Sequence, residues 1–132
     1  MPRGKPKIAI FGGTGDLGSA LAKKWAKKGY GIIIGSRSKE KATRIARSMR
    51  KELDVKSIDG FESAEAAKLC DLGVITVPYI SHATTLKAVK KSMQGKILVD
   101  TTVPFQKEVT KVSLPKAGSA AIEAQNILGG GV

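Results

Sequence analysis

The feature that most constrains this chain is the stretch KIAIFGGTGDLGSALAKKW, which runs from Lys7 to Trp25. An apolar run of the kind that forms a buried strand breaks into glycines and then resumes with apolar and basic residues at helical spacing. Gly13, Gly15 and Gly18 fit the pattern G-x-G-x-x-G, which is weak evidence by itself. Because the pattern follows a predicted strand and opens a predicted helix, it favours a phosphate-binding loop over a turn that serves packing alone.

The rest of the chain alternates short β-like runs with helical patterns, without an internal repeat or a low-complexity tract. The β-like runs are KIAIF (7–11), YGIII (30–34), VKSI (55–58), LGVITV (72–77) and KILVD (96–100). Strands that alternate with helices form parallel sheets, and their crossovers are right-handed. We therefore predict an α/β fold, a doubly wound parallel sheet with strand order 3-2-1-4-5 and the topology of a Rossmann NAD(P)-binding domain.

Helices are predicted between and after these strands. The first carries Leu17, Leu21 and Trp25 on one face and stops at Gly29, and the second starts after a Ser38 N-cap. A third spans about 63–69 and opens on a capping Ser, a fourth runs from about 81 to 93, and the last spans about 118–128. The apolar positions predicted for the second and fourth helices are Ala42, Ile45, Ala46, Met49, Leu53, Leu86, Val89 and Met93.

Each glycine of the loop has its own predicted role. Gly13 permits the tight turn, Gly15 has no side chain to block a pyrophosphate, and Gly18 lets the helix approach the strand. The free N–H groups of residues 14–17, at the positive end of the helix, are then expected to meet the phosphates. The carboxylate of Asp16 is expected to cap neighbouring amides while it points away from the anion.

The end of the second predicted strand indicates which dinucleotide is bound. A site that prefers NAD carries Asp or Glu about 20 residues past the glycines, where the acid holds the ribose 2′-hydroxyl. This chain has Ser36 and Arg37 there, in IIIGSRSKEK, and Lys41 follows on the opening turn of the next helix. Two such charged, non-additive contacts to a 2′-phosphate would favour NADP over NAD by roughly 10²–10⁴-fold. Solvated residues in a Lys-rich protein are the alternative, which suits Lys41 alone better than all three.

The fourth predicted strand ends in VITVPYISHATT, and its end should border the same crevice. Residues 76–79 are therefore expected to flank the ribose and nicotinamide, and Pro78 keeps the backbone turned away from the helix. We interpret His82, the single histidine, as a surface or packing residue rather than a general acid or base. The run VDTTVPF repeats the Val-Pro arrangement after the fifth strand and is a second candidate for the crevice border, while Asp100 is expected to cap the turn.

Composition limits the other classes of function. With 132 residues the chain suits one domain, and 23 Lys+Arg against 11 Asp+Glu give a formal net charge of +12. That charge attracts polyanions, but the basic residues are spread over helix faces and no aromatic residues alternate with them, so nucleic-acid binding is unfavoured. Cys70 is interpreted as a small buried side chain, and nothing near it suggests a metal site.

The sequence also bears on location. No apolar stretch reaches the ~18–20 residues that a membrane span needs. The N-terminal MPRGKPK, expected to be flexible over 1–6, lacks the apolar segment of a signal peptide. A cytoplasmic protein without membrane contact is therefore predicted.

Five blocks together resemble the NADPH-dependent reductases of the deazaflavin coenzyme F420: IFGGTGDLG, IIIGSRSKEKA, AAKLCDLGVITVPYISHA, GKILVDTTVPF and LPKAGSAAIEAQNILG. The last block is specific, because Rossmann geometry alone does not require it. The resemblance implies that the glycine loop, Ser36, Arg37 and Lys41 bind NADP(H), and that a hydride passes directly between nicotinamide and deazaflavin beside residues 76–78. Such a transfer needs positioning more than acid-base chemistry, so no catalytic residue is assigned.

The predicted cofactor-binding residues are Gly13, Thr14, Gly15, Asp16, Leu17, Ser36, Arg37, Lys41, Thr76, Val77 and Pro78. Members of the family continue into a sixth strand and a smaller helical portion that helps close the deazaflavin site and the dimer. The chain is thus expected to be a single dinucleotide-binding domain over 1–132, with the sixth strand absent or truncated and the C-terminal portion missing. The open edge at strand 5 would favour pairing with another chain, for example in a homodimer.

The first hypothesis is an NADP-dependent oxidoreductase that transfers a hydride between NADP(H) and coenzyme F420, or the NADP-binding domain of one. A stand-alone NADP-binding module without turnover is the second hypothesis. An NADPH reductase of another small acceptor, such as an imine or a metal ion, is a related alternative. Nucleic-acid binding through the basic surface is a remote alternative, which predicts a steep loss of affinity with salt.

Overall fold

The described part of the chain forms a parallel sheet with helices on both faces. The computed structural model describes residues 5–102 and 119–132, and within these ranges five strands pair in the order β3-β2-β1-β4-β5. The predicted doubly wound fold and its strand order are therefore confirmed. The strands are β1 (Ile8–Phe11), β2 (Ile32–Ser36), β3 (Ile58–Glu62), β4 (Leu72–Ile75) and β5 (Ile97–Asp100).

The helices divide the core into two layers. They are α1 (Asp16–Lys27), α2 (Lys39–Leu53), α3 (Ser63–Leu69), α4 (His82–Val89) and α5 (Ala120–Leu128), and a 3₁₀ turn (Tyr79–Ser81) precedes α4. Successive strand residues point to opposite faces, so Ile8 and Ile10 pack with α1 and α2. Ala9 and Phe11 pack with the other three helices. β1 is therefore covered on both faces, as the central strand of such a sheet requires.

The third strand lies further along the chain than the sequence indicated. The prediction placed it at 55–58, whereas β3 is Ile58–Glu62. This strand ends the sheet on one side within the described ranges, and its polar residues hide the apolar pattern of a buried strand. Gly60 lies so close to the backbone of Ala42 that an added Cβ would clash. The glycine that weakens the strand signal thus lets α2 pack directly on β3.

The first helix buries a different face from the one that the leucine spacing indicated. Leu17 was grouped with Leu21 and Trp25, but it is 49% exposed. The fully buried positions of α1 lie one residue later, at Gly18, Ala22 and Ala26. Small residues at these positions let α1 lie close to the sheet, and Leu21 and Trp25 pack at the margin of the core.

The predicted helix caps are observed for α2 but not for α3. Ser38 Oγ accepts a hydrogen bond from Lys41 N at 3.2 Å, as an N-cap does. The third helix begins at Ser63 itself, and its cap is Glu62, whose Oε1 accepts from Ala64 N at 3.1 Å. The fourth helix ends earlier than predicted, although its predicted apolar residues are all fully buried.

Cys70 is buried, as predicted, and burial raises the pKa of its thiol. Its Sγ donates to the carbonyl of Ala67 at 3.4 Å, so the side chain is part of the core. In residues 5–102 and 119–132, no helix combines the length and apolar character that crossing a membrane requires.

Candidate functional site

The carboxyl ends of β1, β2 and β4 meet the amino terminus of α1 at a crevice of about 180 Å³. Ligands of doubly wound sheets bind at this edge, where the strand order reverses. The residues that line the crevice are Gly12, Thr14, Gly15, Ser36, Arg37, Lys41, Ser63, Thr76, Val77, Pro78, Ser81 and Thr85. Eight of the predicted cofactor-binding residues are among them, whereas Gly13, Asp16 and Leu17 are not.

The tight turn of the loop depends on Gly12 rather than Gly13. Gly12 has a φ of +92°, in the region that favours glycine, whereas Gly13 does not have a positive φ. The amide of Gly12 donates to Gly35 O at 3.0 Å, and Gly15 N donates back to Gly12 O at 3.0 Å. The role predicted for Gly13 therefore belongs to its neighbour, because the chain reverses direction directly at the end of β1.

Gly13 and Gly18 are required by close packing. A Cβ on Gly13 would lie 2.9 Å from Ile34 Cδ1, a side chain of the neighbouring strand. A Cβ on Gly18 would lie 2.6 Å from Gly12 O and 2.7 Å from Thr76 Oγ1. Gly18 was predicted to let the helix approach the strand, and it lets α1 lie close to the loop that ends β1 and to Thr76, which directly follows β4.

Gly15 differs from these glycines because the space beside it is open. Of the atoms in the described residues, a Cβ there would meet only Gly12 O, at an ordinary contact distance of 3.5 Å. The amide of Gly15 is used within the turn, so the prediction that it is free was wrong. Within the described residues, the amides of Thr14, Asp16 and Leu17 have no backbone acceptor, as expected for the first turn of a helix. Asp16 caps none of them and is exposed.

Cationic side chains stand at the end of β2, beside this open space. Arg37 and Lys41 are exposed, and in the described ranges neither has an acidic partner within ion-pair distance. Ser36 Oγ accepts from Ser38 N at 3.3 Å, which keeps the hydroxyl at the strand end. Glu62, which lies opposite Ser36 in the strand register, accepts a hydrogen bond from the first turn of α3. Arg37 and Lys41 are therefore available to an anion.

The end of β4 closes the other side of the crevice. Thr76 Oγ1 donates to Gly12 O at 3.1 Å and Thr76 N donates to Phe11 O at 2.9 Å. The hydroxyl of Thr76 thus ties β4 to the glycine loop instead of pointing freely at a ligand. Val77 packs over Gly12, where a Cβ would lie 2.7 Å from Val77 Cγ1, and Pro78 is exposed. The second Val-Pro pair, Val103 and Pro104, lies outside the described residues.

Four lining residues were not predicted: Gly12, Ser63, Ser81 and Thr85. Ser63 and Thr85 are only 6% and 8% exposed, so their hydroxyls are nearly buried at the base of the crevice. The sequence did hold a signal for Ser81, because this residue closely follows the crevice residue Pro78. Ser63 directly follows β3, but the predicted strand ended at residue 58, so the sequence did not place Ser63 at a strand end. Thr85 lies one helical turn beyond Ser81 and could have been found from that spacing.

Of the two roles predicted for His82, surface or packing residue, the structure agrees with packing. The side chain is completely buried, and Nε2 lies 2.8 Å from Asp100 Oδ2. Among the described residues Nδ1 has no hydrogen-bond partner, and it lies 3.7 Å from Glu123 Oε1. Glu123 also accepts a hydrogen bond from Tyr79 Oη at 3.0 Å. We call Tyr79, His82, Asp100 and Glu123 the polar cluster.

Partial burial raises the pKa of Tyr79, and the hydrogen bond and negative charge of Glu123 raise it further. Asp100 caps the turn as predicted, because its Oδ1 accepts from Thr102 N at 2.9 Å. The polar cluster lies behind the crevice wall and none of its members lines the crevice. His82 therefore faces the protein interior rather than the ligand.

The residues of the crevice fit an NADP(H) molecule. A side chain at Gly15 would fill space that the loop leaves open next to free helix amides, which is where a pyrophosphate binds in this fold. Arg37, with Lys41 nearby, stands at the strand end where the 2′-phosphate of NADP is recognised. The donor set therefore suits a phosphorylated dinucleotide.

Comparisons with a family model and with known proteins identify the same family. A family model described as "NADP oxidoreductase coenzyme F420-dependent" matches residues 7–104. The F420-dependent NADP reductase of Methanocaldococcus jannaschii is 40% identical over 130 residues, which cover 92% of this chain and 58% of the relative. The enzyme of the same name from Methanothermobacter marburgensis is 43% identical over 101 residues, which cover 75% of this chain and 45% of the relative.

A solved structure agrees with this result. A crystal structure from Arthrobacter sp. FB24, described as a candidate F420-dependent NADP reductase, has a TM-score of 0.77 and 25% identity. The match covers 94% of this chain and 58% of that one. The chain spans about half the length of the curated relatives that it matches.

Proposed function

This chain belongs to the family of coenzyme F420-dependent NADP oxidoreductases, and we propose that it binds NADP(H) in the crevice for hydride transfer to or from the deazaflavin coenzyme F420. The observation that carries the proposal is the pair Arg37 and Lys41, two cations without a described acidic partner, beside a glycine loop whose Gly15 leaves space for a pyrophosphate. The family names NADP and the deazaflavin together. Residues 1–132 are proposed to act as one dinucleotide-binding domain.

The proposed binding mode assigns a separate part of the ligand to each strand end. The amides of Thr14, Asp16 and Leu17 would hold the pyrophosphate, since they are the free donors of the first helical turn. Ser36, Arg37 and Lys41 would hold the 2′-phosphate, and Arg37 can do so with two parallel hydrogen bonds. Gly13 contributes by packing under the loop, because it does not line the crevice.

The nicotinamide half would then lie along the end of β4, beside Thr76, Val77 and Pro78. Bound NADPH would supply a hydride, and the chain's part in the reaction is to hold the ring in place and to exclude water. Within the described residues, Arg37 and Lys41 are the only ionisable side chains that line the crevice. The proposal therefore assigns positioning, and no proton transfer, to this domain.

Assembly and location are further parts of the proposal. A homodimer is proposed because β5 ends the described sheet and exposes Ile97 by 68% and Val99 by 45%, which is unusual for large apolar side chains on an edge strand. Sedimentation of the wild-type chain beside Ile97→Lys tests this, and monomeric behaviour of both would contradict it.

A cytoplasmic location is proposed because the one cysteine, Cys70, is a free thiol, as is usual in reducing compartments.

The direct test is calorimetric titration with NADPH and NADH at moderate salt. The proposal expects NADPH to bind at least about a hundredfold more tightly than NADH. If neither nucleotide binds, the proposed dinucleotide site is wrong. If both bind with equal affinity, the chain does not recognise the 2′-phosphate.

Mixing the chain with NADPH and oxidised deazaflavin then tests the reaction itself. Loss of deazaflavin absorbance indicates turnover by this chain. Tight NADPH binding without that loss would instead favour a binding module, which is the second hypothesis from the sequence.

A further inference from the structure

Residues in the segment from Pro78 to His82 contact either the crevice or the polar cluster behind it. Pro78 and Ser81 line the crevice, whereas Tyr79 and His82 belong to the polar cluster behind it. Ile80, between them, is 90% exposed. The residues that touch the crevice are thus each followed directly by a residue that is anchored in the protein interior.

The anchors lie on parts of the chain that are distant in sequence. His82 Nε2 and Asp100 Oδ2, at the end of β5, are 2.8 Å apart. Tyr79 Oη donates to Glu123 Oε2, on α5, at 3.0 Å. The rings of Tyr79 and His82 also pack together, with centroids 5.8 Å apart. The 3₁₀ turn is therefore fixed at its start by α5 and at its end by β5.

Burial makes these contacts strong. The side chain of His82 is 0% exposed and that of Asp100 9% exposed, so water cannot replace the hydrogen bond between them at low cost. Asp100 is itself held, because its second oxygen accepts from Thr102 N. Glu123 is 25% exposed and faces both Tyr79 and Nδ1 of His82. A displaced turn would leave these groups without partners.

We propose that Tyr79 and His82 are positioning residues, which hold the turn carrying Pro78 and Ser81 so that the crevice wall fits the nicotinamide half of the dinucleotide. The inference rests on the proposed function. Dinucleotides in doubly wound folds lie across the strand ends, with the adenosine half toward β2 and the nicotinamide half toward β4. The turn follows β4, and we therefore assign it to the nicotinamide half. Loss of an anchor should therefore weaken the contacts of one half and spare those of the other.

The experiment compares NADPH with adenosine 2′,5′-bisphosphate, which carries the 2′-phosphate and the first phosphate of the dinucleotide but no nicotinamide. Each ligand is titrated calorimetrically into the wild-type chain and into Tyr79→Phe, His82→Leu and His82→Gln. NADPH affinity should fall by about 5–20-fold in Tyr79→Phe and His82→Leu, which is what the loss of one or two net hydrogen bonds gives. Affinity for the bisphosphate should stay within about twofold. His82→Gln can still donate to Asp100 and should recover part of the loss.

A matched control removes the same hydroxyl from the opposite end of the sheet. Tyr30 precedes β2 and its ring lies under the ammonium group of Lys5, at 4.9 Å from the centroid. Tyr30→Phe should change neither affinity. The fluorescence of bound NADPH gives an independent measurement, because the emission of the nicotinamide ring should shift in Tyr79→Phe and not in Tyr30→Phe.

Three results would overturn the inference. Unchanged NADPH affinity in Tyr79→Phe and His82→Leu would show that the turn does not need its anchors. An equal loss for both ligands would show a general structural role. Tyr79→Phe keeps the shape of the side chain, so it decides the question even where His82→Leu fails to fold. If the wild-type chain binds neither ligand, the proposed function itself fails and the inference falls with it.

Discussion

The crevice and the polar cluster lie on opposite sides of the same short turn, yet their polar groups differ in whether they have partners within the protein. In the cluster, the carboxylates of Asp100 and Glu123 both face partners from other elements, and His82 is fully enclosed. In the crevice, the side chains of Arg37 and Lys41 are exposed and have no acidic partner among the described residues. The polar atoms of the cluster are paired within the protein, except that His82 Nδ1 has no hydrogen-bond partner among the described residues. The cations of the crevice are left for a ligand.

This difference gives a physical criterion for separating structural from functional polarity. Buried polar groups in native proteins are almost always hydrogen-bonded within the fold, because an unpaired one is costly. Polar groups that face an open crevice and have no partner within the protein are hydrated by solvent until a ligand replaces that solvent. Mutations in the crevice should therefore change binding with little effect on stability, and mutations in the cluster should change stability directly.

The largest expected effect comes from filling the open space of the crevice. Gly15→Val should weaken NADPH binding at least about a hundredfold, because the new side chain would occupy the position of the pyrophosphate. The backbone of Gly15, at φ −88° and ψ 178°, is open to any residue, and its Cβ meets no protein atom closer than 3.5 Å. The melting temperature should therefore stay near that of the wild-type chain, which differential scanning calorimetry measures beside the binding titration.

Gly18→Ala is the matched control for that substitution. Its Cβ would lie 2.6 Å from Gly12 O and 2.8 Å from Gly13 Cα, both backbone atoms that cannot move cheaply. Overpacking of this kind costs about 1–3 kcal/mol of unfolding free energy. Equal stability of the two variants, or unchanged NADPH affinity in Gly15→Val, would contradict the distinction between an open and a packed glycine.

Removal of the guanidinium group should have the next largest effect. Arg37→Ala should weaken NADPH by about 10–150-fold, the equivalent of a charged hydrogen bond of about 1.5–3 kcal/mol, and leave NADH nearly unchanged. Calorimetric titration with both nucleotides measures the difference. Arg47→Ala, on the exposed surface of α2, removes the same charge outside the crevice and should change neither affinity. An equal loss for NADPH and NADH in Arg37→Ala would show that this residue does not recognise the 2′-phosphate.

Mutations in the polar cluster should lower stability as well as NADPH affinity. Asp100→Asn keeps the shape of the side chain but removes the charge that faces His82 at 2.8 Å, and it should lower the free energy of unfolding by about 1–3 kcal/mol. Denaturant unfolding monitored by Trp25 fluorescence measures this. Asp59→Asn is the control, because its pair with Arg50 spans 3.5 Å with the Asp59 side chain 66% exposed. Such surface pairs contribute about 0–1 kcal/mol, so a loss as large as that of Asp100→Asn would contradict the argument.

The sequence predicted the fold and the crevice well because both depend on local patterns. Strand-helix alternation determines the topology, and the ends of β1, β2 and β4 carry their glycines, cations and Val-Pro pair directly in the chain. The order of the strands then brings residues near 14, 37 and 77 together without further information. Where the prediction failed locally, as for Gly12, the error was one residue along a correctly placed turn.

The polar cluster could not be predicted because it depends on contacts across long separations. Tyr79 and Glu123 are 44 residues apart, and the helix that carries Glu123 packs on α4. A lone His in the first turn of a helix gives no sign that a strand end and another helix will enclose it. The same holds for β3, where the packing of Gly60 on α2 outweighs the weak strand propensity of its sequence.

The smallest expected effect is a pH dependence that comes from Tyr79. Partial burial, the hydrogen bond to Glu123 and the charge of Glu123 raise the pKa of this phenol in the folded chain. In the unfolded chain it ionises near the ordinary value of about 10, so at higher pH the unfolded state binds fewer protons than the folded state. The stability that Tyr79 contributes is therefore complete below about pH 10 and is lost as the pH rises through the folded pKa. Between pH 9 and 11, the free energy of unfolding should fall more steeply in the wild-type chain than in Tyr79→Phe, as measured by denaturant titration at each pH. Parallel slopes would show that Glu123 does not hold the phenol in its neutral form, and the anchor at the start of the turn would then be weaker than its geometry indicates.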